Sequence, residues 1–392
     1  MDITLVINPG SSSKKYALFK GDKEILSVFF EHTEDGYGKC VEINGERQRC
    51  EESSLSLYEH ALDEVIRIAK SEGVITHEHA IATVGIRVVS PGTYFEKHRI
   101  IDADYLTYLR AMEPAAPLHI PHTVRELNVL SRLLPGSRIV GVSDSAFHSR
   151  MPAYARRYSL PRKDTEALDI YRFGYHGISM SSVIRQVQAH LGQVPERTVV
   201  CHVGSGVSVT ALKAGISVET TMGFAPGSGL MMGTRAGDVD SGALLYLMKV
   251  KGLSASEAES YVSSEGGLRG VLGQSDLRIA LDRMARGDVF ANEAVRMFMY
   301  NVKKSIGASA AVLGGVDLLV LTATAVERNP LMRALVCDGL EYLGVLFDQK
   351  ANDALAGRAG IVSAEGSRSM VLVVHTNEML EIARVAHAIH SV

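Results

Sequence analysis

Ile3-Thr4-Leu5-Val6-Ile7-Asn8-Pro9-Gly10-Ser11-Ser12-Ser13 is an apolar strand that ends in a turn of glycine and serine. The alternating residues 14–19 that follow predict a second strand, which closes a hairpin. Such a turn brings backbone N–H groups and hydroxyls together without a bulky Cβ, so that a phosphate group can approach closely. The opening stretch therefore predicts a phosphate-binding hairpin at the edge of a buried sheet.

The same pattern returns half a chain length later. Residues 198–202 form a second apolar strand, which breaks at Gly204-Ser205-Gly206 and resumes at residues 207–212. Two copies of one hairpin predict an α/β protein made of two similar halves that face one another across a cleft. We place the first domain at residues 1–149, with the C-terminal helix 376–392 returning to it. The second domain is placed at residues 150–375.

The composition is that of an ordinary globular enzyme. The chain has 392 residues, of which 46% are hydrophobic and 22% are charged, so each half can build its own core. A net charge of −3 argues against a nucleic-acid surface, and the apolar runs are too short to cross a membrane. We find no signal peptide, and the four cysteines have no C-x-x-C spacing. These features predict a reduced, cytoplasmic protein.

Three polar stretches stand where strands end. Arg87 closes an apolar strand, Asp144 follows another, and Arg235 lies in a loop flanked by glycines. Ligand-binding clefts of α/β proteins open at the carboxyl ends of strands. Taken one at a time, these residues could equally be a surface arginine, a helix-capping aspartate and a flexible turn. Two guanidinium groups, a carboxylate and two phosphate-binding turns together favour phosphoryl transfer, in which catalysis is mostly positioning and charge neutralisation.

Several motifs occur in an order that resembles the acetate kinases nearly from end to end. The matching segments are Asn8-Pro9-Gly10-Ser11-Ser12-Ser13, Gly85-Ile86-Arg87-Val88-Val89, Ala116-Pro117-Leu118-His119, Asp144-Ser145-Ala146-Phe147-His148, Phe173-Gly174-Tyr175-His176-Gly177, Cys201-His202-Val203-Gly204-Ser205-Gly206, Met231-Met232-Gly233-Thr234-Arg235 and Asn377-Glu378. The resemblance implies two domains of the ribonuclease H-like/actin-like ATPase type. It also implies a homodimer.

The resemblance implies roles for the residues at matching positions. Arg87 and Arg235 would bind the substrate carboxylate and the phosphoryl group in transfer. Asp144 would position or deprotonate the acyl acceptor, and His176 would donate to phosphoryl oxygens in the transition state. Mg²⁺, or Mn²⁺ in its place, would be held by Asn8 and Glu378. The residues that would surround the acyl methyl group are Val89, Leu118, Tyr175 and Pro226. Those that would line the phosphate path are Ser11, Ser13, His119, His202, Gly204, Ser205 and Gly206.

The nucleotide-binding end departs from the family pattern. Acetate kinases usually carry Gly-Ile-Gly-Glu-Asn in the turn that receives the nucleotide, and this chain has Thr324-Ala325-Val326-Glu327-Arg328. Both glycines are replaced by β-branched residues, Thr324 and Val326, which are expected to narrow the pocket and to resist positive φ angles. By contrast, Asp276-Leu277-Arg278 resembles the family's ribose- and adenine-facing segment. We therefore count Asp276, Leu277, Arg278, Thr324 and Glu327 as candidate donor-binding residues.

Three hypotheses follow from this pattern. The first is an acetate kinase that transfers a phosphoryl group reversibly between ATP and acetate, giving acetyl phosphate and ADP. The second is the same transfer with pyrophosphate as the donor, because the adenosine pocket is blocked. The third is a non-catalytic relative that serves in binding or regulation. Retention of both arginines and both metal ligands argues against the third hypothesis.

Overall fold

A computed structural model describes residues 3–10, 13–33, 36–76 and 80–390, and the chain divides into two compact units. Unit 1 consists of Met1–Ser149, Gly177–Ser179 and Asn377–Val392. Unit 2 consists of Arg150–His176 and Met180–Thr376. The last helix of the chain is therefore part of the unit that contains the first strand. None of the described helices is both long enough and apolar enough to cross a bilayer.

The strands form one sheet in each unit. In chain order they are β1 (Ile3–Pro9), β2 (Ser13–Lys20), β3 (Lys23–Thr33), β4 (Gly36–Ile43), β5 (Glu46–Ser53), β6 (Ile81–Val88), β7 (Arg99–Ile100), β8 (Arg138–Ser143), β9 (Arg197–Val203), β10 (Val207–Lys213), β11 (Ile216–Thr220), β12 (Leu318–Thr322), β13 (Gly360–Ile361) and β14 (Met370–Val373). The strand order is β5-β4-β3-β2-β1-β6-β8-β7 in unit 1 and β11-β10-β9-β12-β14-β13 in unit 2.

The helices follow the strands as connections and covering layers. They are α1 (Leu55–Glu59), α2 (Ala61–Ser71), α3 (Ala103–Ala111), α4 (Ile120–Leu133), α5 (Ala153–Arg156), α6 (Arg162–Ala167), α7 (Gly177–Leu191), α8 (Ser241–Lys251), α9 (Ala255–Ser264), α10 (Gly267–Leu272), α11 (Leu277–Ala285), α12 (Val289–Leu313), α13 (Thr324–Arg328), α14 (Pro330–Cys337), α15 (Gln349–Ala354) and α16 (Glu378–His390). Short 3₁₀ helices lie at Thr93–Phe95, Glu113–Ala115, Ala146–His148 and Glu341–Leu343.

The two sheets repeat one pairing scheme. In unit 1, β1 pairs antiparallel with β2 and parallel with β6, which pairs parallel with β8. In unit 2, β9 pairs antiparallel with β10 and parallel with β12, which pairs parallel with β14. Each central strand therefore belongs to a hairpin on one side and to a parallel set on the other. The α/β class and the repeated hairpin predicted from the sequence are confirmed.

The first strand is buried along its whole length because it lies in the middle of unit 1. Leu5 and Ile7 belong to a core that also holds residues of α2 and α4. Val6 belongs to a second core, which contains Ile382 from α16. A Cβ on Gly85 of β6 would lie only 2.7 Å from the Ile382 side chain, so glycine lets α16 pack closely on the sheet. This packing fixes the start of α16, and with it Glu378, relative to β1.

Two features of unit 1 have a physical explanation that the sequence pattern does not show. Residues 55–71 do not form one continuous helix, because α1 and α2 are divided at His60, where φ is −100° and ψ is 28°. None of the residues of α1 is buried, so packing does not hold α1 in line with α2. We also missed β5, whose residues are almost all polar and exposed. It is an edge strand, and such strands often carry charged residues rather than an alternating apolar pattern.

The expectation of four reduced cysteines was wrong for one pair. Cys40 on β4 and Cys50 on β5 are register partners with Cα atoms 4.1 Å apart, and they form a disulfide. Their separation along the chain matches no short motif, because strand pairing rather than local spacing brings them together. Cys201 and Cys337 are free and buried. Burial raises the pKa of the Cys337 thiol to about 12, so both its location and its protonation keep it unreactive.

Candidate functional site

The carboxyl ends of β1, β6 and β8 and the start of α16 bring four polar side chains together in unit 1. We call Asn8, Arg87, Asp144 and Glu378 the strand-end cluster. Arg87 donates from Nη2 to Asp144 Oδ2 at 2.8 Å and from Nη1 to Asn8 Oδ1 at 3.2 Å. Asn8 Nδ2 donates to Glu378 Oε2 at 2.9 Å. The four residues, widely separated in sequence, therefore form one hydrogen-bonded chain.

The Arg87–Asp144 ion pair is largely withdrawn from solvent. The side chain of Asp144 is 1% exposed and that of Arg87 is 18% exposed. Burial by itself lowers the pKa of Arg87, but the charges of Asp144 and Glu378 outweigh it, so the net shift is upward. Arg87 Nε is buried and has no hydrogen-bond partner among the residues that the structure describes. A buried donor without an acceptor is costly, so this N–H marks a position where an acceptor is lacking.

The backbone around Asp144 is held from several sides. Its N–H donates to the carbonyl oxygen of Val88 at 2.9 Å, and its own carbonyl oxygen accepts from the N–H of Gly177 at 2.8 Å. A Cβ on Gly177 would lie 2.4 Å from that carbonyl oxygen, so a larger residue could not occupy this position without displacement. These contacts keep the Asp144 carboxylate against Arg87.

His98, which sequence reasoning missed, supports the same loop. Its Nδ1 accepts a hydrogen bond of 3.1 Å from the N–H of Ser143, the residue before Asp144. The hydroxyls of Ser143 and Ser145 both donate to the carbonyl oxygen of Phe95. Burial lowers the pKa of His98 from 6.5 to about 4, so the ring is neutral and can accept at neutral pH. Nothing in the local sequence of His98 signals this role.

The depressed pKa of His98 predicts that acid destabilises unit 1. The unfolded chain binds a proton at His98 below about pH 6.5 and the folded chain does so only below about pH 4. The stability that the neutral ring contributes is therefore present above pH 6.5 and is lost as the pH falls toward 4. His98→Asn keeps an acceptor near the Nδ1 position but does not titrate. Between pH 7 and pH 5, wild type should lose about 1–2 kcal/mol more unfolding free energy than His98→Asn in denaturant titrations. Equal losses in the two proteins would contradict this assignment.

In unit 2 the predicted turn between β9 and β10 is closed by its own backbone. The N–H of Gly204 donates to the carbonyl oxygen of Gly206 at 2.9 Å, and Ser205 is exposed at the tip. A Cβ on Gly206 would lie 2.6 Å from Nε2 of His176. Glycine is therefore required for the imidazole to approach the turn so closely.

Two histidines stack beside this turn. The rings of His176 and His202 have centroids 4.1 Å apart and planes inclined by 22°. Nδ1 of His176 lies 2.9 Å from the hydroxyl of Ser208 on β10. His176 immediately precedes α7 and has φ +60° and ψ 21°, in the left-handed region. The structure thus brings together His176, His202 and the turn, as expected for residues that share one binding site.

Arg235 is fixed by the loop that carries it. Its Nη1 donates to the carbonyl oxygen of Pro226 at 3.2 Å, and its own carbonyl oxygen accepts from the N–H of Met232 at 3.0 Å. Gly267, at the start of α10, packs so tightly on this loop that an added Cβ would lie 2.2 Å from the carbonyl oxygen of Met232. A Cβ on Gly233 of this loop would lie 2.7 Å from the carbonyl oxygen of Ser275. The segment that begins at Asp276 therefore lies beside the loop that carries Arg235.

The altered donor segment is a helix rather than a glycine-like turn. Residues Thr324–Arg328 form α13, and only the preceding Ala323 has a positive φ, of +74°. Val326 is fully buried in the core, whereas Thr324 is exposed. The bulk of the β-branched Val326 is therefore taken up inside unit 2 rather than in a nucleotide pocket, and Val326 has a helical rather than a positive φ angle.

Glu327 faces inward from α13. Its Oε1 accepts from the N–H of Ala323 at 2.8 Å, the N–H of Thr376 at 3.1 Å and the hydroxyl of Thr322 at 3.2 Å. Through these bonds the Glu327 carboxylate holds the backbone on either side of α13.

Asp276 and Arg278 are tied to one another. Asp276 caps α11 by accepting from the N–H of Arg278 at 2.8 Å, and Arg278 Nη2 lies 2.5 Å from its Oδ2. The Arg278 side chain is nevertheless 85% exposed, and Leu277 between the two residues is partly exposed. The segment is therefore rigid at its backbone and open to a ligand at its arginine.

The remaining predicted site residues are placed as follows. In unit 1, Val89 is buried just after β6, Leu118 is exposed, and His119 immediately precedes α4. Ser13 begins β2, and its carbonyl oxygen accepts a hydrogen bond of 2.7 Å from the N–H of Gly10. Ser11 lies outside the described residues. Tyr175 and Pro226, the acyl-pocket candidates of unit 2, are close to one another. The Tyr175 hydroxyl donates to the carbonyl oxygen of Phe224 at 2.6 Å, and the buried Pro226 lies two residues further along the chain.

Comparisons with known proteins identify the family of this chain. The model of the acetokinase family matches residues 3–384. An acetate kinase of Sulfurovum sp. (strain NBC37-1) is 36% identical over 392 residues, covering 99% of this chain and 98% of the relative. An acetate kinase of Heliobacterium modesticaldum is 39% identical over 390 residues, covering 97% of this chain and 98% of the relative.

Solved structures give the same result. The crystal structure of Porphyromonas gingivalis acetate kinase superposes with a TM-score of 0.87 at 33% identity and covers 100% of both chains. A propionate kinase from Francisella tularensis gives a TM-score of 0.90 at 29% identity, with 99% of this chain and 100% of that chain covered. The family model spans nearly the whole chain and the curated relatives exceed a third in identity, so the chain belongs to the acetokinase family.

Proposed function

We propose that this protein is an acetate kinase, which transfers a phosphoryl group reversibly between ATP and acetate to give acetyl phosphate and ADP. The observation that carries the proposal is the strand-end cluster, in which the buried ion pair of Arg87 and Asp144 leaves Arg87 Nε without a partner among the described residues. Membership of the acetokinase family and relatives named acetate kinase support the choice of acetate and ATP.

In the proposed reaction a carboxylate oxygen of acetate attacks the γ-phosphorus of ATP while the bond from that phosphorus to the β,γ-bridging oxygen breaks, and ADP leaves. A small carboxylic acid is already ionised at neutral pH. Asp144 therefore has no proton to remove from acetate, and its task is to hold Arg87. The Arg87 guanidinium binds the negative oxygens that approach one another, and Arg235 neutralises charge on the transferring group.

His176 is proposed to donate a hydrogen bond to an oxygen of the transferring phosphoryl group. The closeness of its Nε2 to the Gly204–Gly206 turn supports this role, since the turn is the proposed phosphate cradle. We also propose that Ser11, Ser13, His119, His202, Gly204, Ser205 and Gly206 line the phosphate path. The proposed nucleotide-binding residues are Asp276, Leu277, Arg278, Thr324 and Glu327, with Glu327 acting through the backbone that it holds. The proposed acyl contacts are Val89, Leu118, Tyr175 and Pro226.

The donor set of Asn8 and Glu378 fits a hard divalent cation. The Asn8 side-chain amide and the Glu378 carboxylate are neighbours, since Asn8 Nδ2 donates to Glu378 Oε2, and both residues carry an oxygen of the type that Mg²⁺ prefers. No group of three His, Cys, Asp or Glu side chains able to hold a metal occurs among the described residues. Mg²⁺ is typically bound by one or two protein oxygens together with waters and substrate phosphates. We propose that Asn8 and Glu378 hold Mg²⁺, or Mn²⁺ in its place. A bound cation would neutralise phosphate oxygens and thereby lower the barrier to attack.

Glu378→Gln is expected to raise the Mg²⁺ concentration needed for half-maximal activity by about tenfold or more, because a neutral amide replaces the charged ligand. The affinity for Mn²⁺, measured by electron paramagnetic resonance, should fall in parallel. This second measurement does not depend on enzymatic activity. Glu293→Gln, at an exposed position on α12, is the matched control and should change neither measurement. Full activity of the wild-type protein in excess chelator would rule out the metal proposal.

A homodimer is proposed from the family resemblance, and unit 2 has apolar residues that a partner could cover. Leu245, Tyr246 and Val250 on α8 are each more than 60% exposed. Phe290 and Tyr300 on α12 are similarly exposed. A second copy of the chain is the partner that the family implies.

A cytoplasmic location is proposed because ATP and ADP are supplied there.

The donor is tested by trapping acyl phosphate with hydroxylamine in parallel reactions containing acetate and ATP, another nucleoside triphosphate, or pyrophosphate. We expect hydroxamate with ATP and none with pyrophosphate. The blocked-pocket argument for pyrophosphate is weakened by the burial of Val326 in the core, and no observation favours a non-catalytic protein. Hydroxamate formed with pyrophosphate alone would overturn the choice of ATP.

A further inference from the structure

Ser208 is placed to control the imidazole of His176. It lies on β10, is fully buried, and pairs in register with His202 of β9, the residue whose ring stacks on His176. The Ser208 hydroxyl lies 2.9 Å from Nδ1 of His176. The serine, the stacked ring and the left-handed backbone of His176 together fix both the position and the rotation of the imidazole.

The direction of this hydrogen bond follows from the burial of the serine. A hydroxyl has one proton to donate, and a buried donor without an acceptor is costly. Among the described residues, His176 Nδ1 is the one hydrogen-bond partner that Ser208 Oγ has. If Nδ1 carried the proton, Ser208 would accept, and its own proton would lack an acceptor. The hydroxyl therefore donates to Nδ1, and a neutral ring then carries its proton on Nε2.

Nε2 is the nitrogen that faces the phosphate-binding turn. It would lie 2.6 Å from a Cβ built on Gly206. A neutral imidazole has one donor and one acceptor, so the tautomer decides which of the two the turn receives. We propose that Ser208 is a positioning residue that holds His176 as the Nε2–H tautomer, so that a donor rather than an acceptor is presented to the phosphoryl group. The benefit for catalysis rests on the proposed function, whereas the tautomer itself does not.

The tautomer is read directly from ¹⁵N–¹H correlation spectra of the full-length protein labelled at its histidines, without substrate. His176→Asn identifies the signal to be followed. We expect the Nε2–H pattern in wild type, a mixture of tautomers in Ser208→Ala, and recovery of the wild-type pattern in Ser208→Thr, which retains the hydroxyl. A wild-type spectrum with the proton on Nδ1, or a Ser208→Ala spectrum identical to wild type, would overturn the proposal.

Kinetics provide the second readout. Ser208→Ala should lower kcat on the order of tenfold while leaving the KM for acetate and for ATP nearly unchanged, because the donor acts on the transition state. Thr210→Val is the matched control. Thr210 lies on β10 with Ser208, and its hydroxyl is hydrogen-bonded to that of Thr220 on β11. Removal of this buried hydroxyl should leave kcat unchanged. Equal losses of kcat in Ser208→Ala and Thr210→Val would show that the effect is structural and would overturn the positioning role. A wild-type protein with the expected tautomer but no activity would instead overturn the proposed function.

Discussion

Arg87→Ala is expected to lower kcat/KM for acetyl phosphate formation by about a hundredfold to a thousandfold. The guanidinium is the fixed cation of the strand-end cluster, and removal of one preorganised donor to developing charge costs about 3–4 kcal/mol of transition-state stabilisation. Arg132→Ala is a suitable control, because Arg132 forms an exposed pair with Asp63. Steady-state kinetics of both variants check the prediction, and near-normal turnover of Arg87→Ala would contradict it.

The same substitution should also destabilise the protein. An arginine at a strand end suggests little effect on folding, but the buried pair with Asp144 argues otherwise. Removal of one partner leaves a buried, uncompensated charge, which costs about 3–5 kcal/mol. The double variant Arg87→Ala/Asp144→Asn should regain part of this stability in denaturant titrations and regain no activity. That combination separates loss of chemistry from loss of folding.

Asp144→Asn is expected to lower kcat by up to about a hundredfold to a thousandfold, the loss expected for Arg87 itself, and to destabilise the protein, because the Arg87 charge loses its buried partner. The amide is nearly the same size as the carboxylate, and the contacts of the Asp144 backbone with Val88 and Gly177 are unaffected. What is lost is the charge that orients Arg87. Asp63→Asn, in the exposed pair with Arg132, should leave kcat unchanged. If Asp144→Asn retained wild-type kcat, the pairing with Arg87 would have no catalytic role.

The sheets could be predicted from sequence where burial makes a strand predominantly apolar. β1 and β9 are of this kind, and each is followed by a glycine-rich turn that marks the hairpin. β5 could not be predicted in this way, since a polar edge strand has the composition of a loop. The Cys40–Cys50 disulfide depends on the register of β4 and β5, which spacing along the chain does not reveal.

The site was predictable to the extent that motifs mark it. Arg87 stands near the end of the apolar strand β6 and Asp144 follows the apolar strand β8, and the parallel pairing of β6 and β8 brings the two strand ends together. His98 and Ser208 have no motif of their own, because their importance lies in contacts made by the fold. The burial of Val326 in the core could not be predicted either. The sequence shows that a larger side chain is present but not which side of α13 carries it.

The central claim, that this chain moves the γ-phosphoryl group of ATP onto acetate, is tested most directly by ³¹P nuclear magnetic resonance. Purified protein is mixed with ATP, Mg²⁺ and acetate, and a parallel sample receives acetyl phosphate and ADP. In the first sample we predict that acetyl phosphate and ADP form in equal amounts. In the second sample, the ATP formed should equal the acetyl phosphate consumed. With Arg87→Ala both reactions should be about a hundredfold to a thousandfold slower. An unchanged ATP spectrum, or release of inorganic phosphate without acetyl phosphate, would contradict the claim.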